Sequence, residues 1–97
     1  MQALMETEDA LSARQQLIEQ GQYLRESLTL AQEAERLTRA RWQHGSTDIQ
    51  PWIDAQRARR QASLNLLQNV LDSKINAVQL YVAIGGQYTQ RAPNKDV

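Results

Sequence analysis

Cysteine and phenylalanine are both absent from this chain of 97 residues. Without cysteine there is no disulfide framework and no thiolate nucleophile, and with one histidine, His44, there is no zinc site of the usual His and Cys kind. Oxidising and reducing compartments both stay open. Proline occurs twice and glycine four times, so long stretches are free of the residues that break helices. Charge of one sign is lacking too: eleven basic residues balance eleven acidic ones, so no net field draws the chain to nucleic acid or an anionic membrane surface. The longest uninterrupted apolar run, Leu80 to Ile84, is far below the roughly 20 residues that span a bilayer. The N-terminus lacks the basic-then-apolar order of a signal peptide. The expectation is a soluble chain of one domain, with no membrane-spanning segment, no cofactor, no metal and no nucleic-acid partner.

What is present is helical periodicity. Leu4, Leu11 and Ile18 repeat every seven residues, and Leu17, Leu24 and Ala31 continue the repeat one position over, with Leu28 between them and Leu37 following. Polar positions are filled by Gln, Glu and Arg, all good helix formers, and Glu35 and Arg39 stand four apart in the favourable order for an ion pair. This predicts a helix over about 3–43, with Gly21 permitting a bend or a close backbone approach. A second apolar stripe, including Ile53, Ala62, Leu66, Leu67, Val70, Leu71, Ile75, Val78, Tyr81 and Val82, predicts a helix over about 49–84. Gly85 and Gly86 supply its stop, and 89–97 reads as a polar tail. The interhelical seam is expected along Leu67, Ile75 and Tyr81, leaving Leu64, Leu71, Val78 and Val82 partly outside it.

The tip loop, about 44–48, holds Gly45 where the chain must leave a helix, so a positive φ is expected there. Asp48 is the expected N-cap, placing Pro51 in the first turn. So short a link makes the two helices antiparallel neighbours, with arms of about 55 to 60 Å. The fold class is all-α, a long antiparallel two-helix hairpin of coiled-coil character over residues 1–88, expected to associate into a four-helix bundle or a higher oligomer.

Three blocks carry a family signature: Arg41-Trp42-Gln43-His44-Gly45, then Ile53-Asp54-Ala55-Gln56-Arg57, then Leu80-Tyr81-Val82-Ala83-Ile84-Gly85-Gly86-Gln87-Tyr88. In this order and spacing they resemble the TolC-like outer membrane efflux channels, and Glu8-Asp9-Ala10-Leu11 is similar to a stretch on that family's preceding helix. The resemblance covers about residues 5–88, the lower part of the family's second coiled hairpin. It implies a trimeric outer membrane channel of a Gram-negative bacterium, this portion lying in the periplasmic α-barrel, with a periplasmic adaptor and an inner-membrane pump as partners. It also implies that the tip residues Trp42, Gln43, His44, Gly45, Ser46 and Thr47 dock the adaptor, and that Asp54 sits at the pore constriction. The sequence departs from the best-known members at three places. Trp42 replaces a tyrosine that latches the closed tip, Thr47 replaces an arginine of the same latch, and Pro51 replaces the first of two constriction aspartates.

Each site residue also has a plainer reading. Asp54 suits a first helical turn as well as a pore, and Glu6, Glu8 and Asp9 suit a helix N-terminus, with no calcium-loop spacing. His44 reads as a solvated loop residue. Trp42 and Trp52 either form a patch for a partner or pack on each other. No nucleophile, base and orienting group assemble around one loop histidine, so the chain is read as a non-enzyme. The competing function is a stand-alone interaction module, dimerising into a four-helix bundle.

Overall fold

The computed structural model describes the backbone of residues 2–91 and the side chains of residues 4–85. It contains two helices, α1 (Gln2–Gln43) and α2 (Gln50–Arg91), and no strand among the described residues. Gly21 does not interrupt α1. The chain divides into two units. Gln20–Val70 is a hairpin that includes the tip, and the stretches up to Glu19 and from Leu71 pair the outer parts of the helices.

The seam is not where the largest apolar residues lie. Leu67, Ile75 and Tyr81 are 54%, 56% and 79% exposed, which corrects the expected line. The less exposed positions of α2 recur at alternating three- and four-residue spacing through Ala55, Arg59, Ala62, Leu66, Asn69, Ser73, Asn76, Leu80 and Ala83. On α1 they include Ala10, Leu17, Gly21, Leu24, Leu28, Ala31 and Glu35. Such spacing keeps one narrow stripe facing a partner helix. Between its leucines the stripe places Ala, Gly, Ser and Asn, whose small side chains let the backbones approach, and Asn69 and Asn76 find partners on the facing helix. In the tip unit a Cβ on Gly21 would stand 2.9 Å from the Asn69 Oδ1. Close approach is therefore what that glycine provides.

Glu35, a seam position, turns to α2: Arg59 Nε donates to its Oε1 at 2.5 Å. The expected partner Arg39 is exposed and does not share the bond. On the open surface of α1, Arg36 pairs with Glu33 three residues back. The hydrogen bond and charge of Arg36 hold the Glu33 carboxyl below its ordinary pKa, and Glu33 raises that of Arg36.

The end of α1 is closed by a Schellman arrangement. The Ser46 N–H donates to the Arg41 carbonyl and the Gly45 N–H to the Trp42 carbonyl, both at 2.9 Å, which places Gly45 at the left-handed position with φ 76°. The start of α2 differs from expectation by one residue. The Ile49 carbonyl accepts from the Ile53 N–H at 3.1 Å, so Ile49 holds the cap position, while Asp48 Oδ1 accepts from the adjacent Ile49 N–H at 2.7 Å. Pro51 still falls in the first turn, where its missing N–H costs nothing. At the other end α2 runs through Gly85 and Gly86 to Arg91. The left-handed stop that glycine supplies needs positive φ, and among the described residues Gly45 alone takes it. The proposed tail is thus helical as far as Arg91, and residues 92–97 lie outside the described part.

The glycines should therefore respond with opposite signs. Gly45→Ala forces a Cβ into the left-handed region and should lower the free energy of unfolding by about 1 kcal/mol. Gly85→Ala meets nothing within 4 Å and should raise it by about 1 kcal/mol through helix propensity. Urea unfolding followed by circular dichroism checks both, and equal signs would contradict this account of the two backbones.

Candidate functional site

At the tip, Trp42 is the last residue but one of α1 and Trp52 lies in the first turn of α2. Their rings stack with centroids 4.9 Å apart and planes tilted by 30°. Such an offset pair contributes about 0.5 to 1.5 kcal/mol beyond the area it buries, and it ties the two helix ends across the loop. The two roles weighed for these tryptophans thus divide: they pack on each other, and Trp42 still keeps 38% of its surface exposed. Nε1 of Trp52 is buried without a hydrogen-bond acceptor.

Gln43, His44, Gly45, Ser46 and Thr47 follow in one exposed run. Ser46 is the most constrained of them, its Oγ donating to the Arg41 carbonyl at 3.0 Å. No group of three or more His, Cys, Asp or Glu side chains is placed to hold a metal ion among the described residues.

Asp54 belongs to the same unit, near the start of α2, with an exposed side chain. Its Oδ1 accepts from Gln50 Nε2 at 2.9 Å, one turn earlier. The first turn of α2 contains no acid, so the plain reading of Asp54 as a first-turn residue does not hold. Glu6, Glu8 and Asp9 follow the first turn of α1 as described, which holds no acid.

The other unit has two features that sequence reasoning missed. A groove on one side of its helix pair is bordered by Arg14, Ile18, Ala77, Tyr81 and Ile84. On the other side a groove is bordered by Glu6, Asp9, Ala13, Val78 and Val82. One edge is basic and the other acidic. Glu35–Arg59 was also missed; the shared three-four spacing of both residues with the small seam residues is the signal that would have found it.

The tip stack can be tested by unequal substitutions. Trp42→Ala removes one ring and should cost about 2 to 3 kcal/mol of stability. Trp52→Phe keeps a ring there and deletes a donor that has no acceptor, so its effect should stay below about 1 kcal/mol. Thermal unfolding of the two variants decides it; equal losses would mean the stack is not what holds the tip.

No helix among the described residues is long and apolar enough to cross a membrane. No curated protein and no solved structure matches the chain significantly. The sequence does match a family described as outer membrane efflux protein over residues 1–86, the span that holds the tip, Asp54 and both grooves. That is a family of channel components rather than enzymes, set in the outer membrane with helical periplasmic parts, and this helical hairpin belongs to it.

Proposed function

We propose that the chain forms part of the periplasmic α-barrel of an outer membrane efflux channel, lining the exit duct and docking, at its tip, a periplasmic adaptor that couples it to an inner-membrane pump. The observation that carries this reading is the outward placement of large apolar side chains. Leu64, Leu71, Ile75, Val78 and Val82 of α2 are all exposed, as are Leu4, Leu11 and Leu30 of α1. A pair of helices working alone would bury such residues, since each forgoes about 1.5 to 3 kcal/mol when left in water. A hairpin flanked by other hairpins covers them. Arg14 at one groove of the outer unit and Glu6 and Asp9 at the other leave charged groups beside the apolar ones for neighbouring hairpins to meet.

In the trimeric channel the exposed run from Trp42 to Thr47 meets the adaptor, and three Asp54 carboxylates form one ring at the constriction, concentrating cations. With Pro51 at the other acidic position of the family, a single ring remains. Separated from its neighbours, the hairpin covers its apolar face by two-fold pairing into a four-helix bundle.

Two measurements test this reading. Sedimentation equilibrium of the chain should give a two-chain mass; a helical one-chain species at high micromolar concentration would show that the hairpin satisfies its own apolar surface. In single-channel recordings of the parent channel, Asp54→Asn should weaken block by multivalent cations, because removing three charges lowers the Coulomb attraction. Identical block in the two proteins would place Asp54 outside the pore.

A further inference from the structure

Asn69 and Asn76 are each 4% exposed, buried more deeply than Ala10 and Ala83. A buried side-chain amide is costly unless its hydrogen bonds are made. Both are made to the facing helix. In the tip unit Asn69 Nδ2 donates to Gln20 Oε1 at 2.9 Å, and in the outer unit Asn76 Nδ2 donates to the Ala10 carbonyl at 3.0 Å. The two asparagines stand seven residues apart on one face of α2. Opposite them α1 presents its smallest residues, Gly21, with no room for a Cβ beside Asn69, and Ala10.

The pairing these bonds enforce is not the one that apolar burial alone would choose. The side of α2 turned away from α1 carries Leu64, Leu71, Ile75, Val78 and Val82, all better buried than an asparagine. Nor is the register unique on shape alone. The three-four spacing repeats along both helices, so Ala, Leu and Ser side chains meet much the same surroundings after a slide of one repeat. The tip loop governs only the end it joins, whereas these bonds link residues 49 and 66 positions apart in sequence.

We propose that Asn69 and Asn76 act as a pairing lock, fixing one register and one facing of α2 on α1 in each unit and keeping the large apolar residues of α2 outward. An asparagine buried in a helix seam is suited to this role because its amide is satisfied in one arrangement and orphaned in most others. Uniqueness is gained, and stability is not the benefit.

That division makes the proposal testable in the full chain, which has no native cysteine. Spin labels on cysteines introduced at the exposed positions Gln16 and Gln79 report the pairing of the outer unit by pulsed dipolar spectroscopy. Dilution with unlabelled chain restricts the reading to pairs within one molecule. The parent should show one distance population. Asn69→Leu/Asn76→Leu should remain helical, melt no lower than the parent, and add a second population at a different distance, as expected when the helices slide by one seven-residue repeat, about 10 Å along the axis. A second population in either single variant, Asn69→Leu or Asn76→Leu, supports the lock equally and stands in should the double variant not fold. A single unchanged population in every helical variant would overturn the proposal. Loss of helix in both single variants would overturn it as well, because the amides would then hold the fold rather than choose the pairing.

Discussion

For Asn76 to donate to the backbone carbonyl of Ala10, the facing helices of that unit must stand close enough for a short side chain to cross the gap. Most of what distinguishes this protein follows from that narrowness. The seam sets small residues, Ala, Gly, Ser and Asn, between leucines such as Leu17, Leu24, Leu66 and Leu80, while Leu64, Leu71, Ile75, Val78 and Val82 of α2 lie outside it. The same constraint explains Gly21, whose missing side chain is the space that Asn69 uses in the tip unit. A helix pair built this way buries little, and among the described residues no large side chain is completely enclosed.

The tip solves a different problem by different means. There the chain reverses through a glycine at φ 76°, with two backbone bonds closing α1 and a tryptophan pair joining the helix ends. Trp52 accepts a buried, unpartnered N–H as the cost of that stack. The loop residues themselves are left exposed. Stacking and backbone bonds hold the tip, and a seam of leucines, small residues and two amides, with the Arg59–Glu35 pair, joins the helices beyond it. With no cysteine in the chain, no disulfide holds either part.

Much of this was legible in the residues. Helical periodicity and good helix formers dictated two helices, Gly45 marked the turn and its positive φ, and Pro51 marked the start of α2, because these features act through local backbone geometry. The three motif blocks pointed to the outer membrane efflux protein family for the same reason: they are contiguous and survive in order. Other matters were decided by tertiary structure alone. Apolar periodicity shows that a helix has a greasy face but not which face meets its partner, so Leu67, Ile75 and Tyr81 were misplaced in the seam while Asn69 and Asn76 occupy it. Local order suggested that Glu35 would pair with Arg39, whereas its seam position turns it to Arg59 on the other helix. Gly85 and Gly86 had the composition of a stop and were carried through as helix, since glycine permits a left-handed turn without requiring one. In each case the local sequence allowed two outcomes, and contacts between residues far apart in the chain, or the backbone conformation itself, selected one.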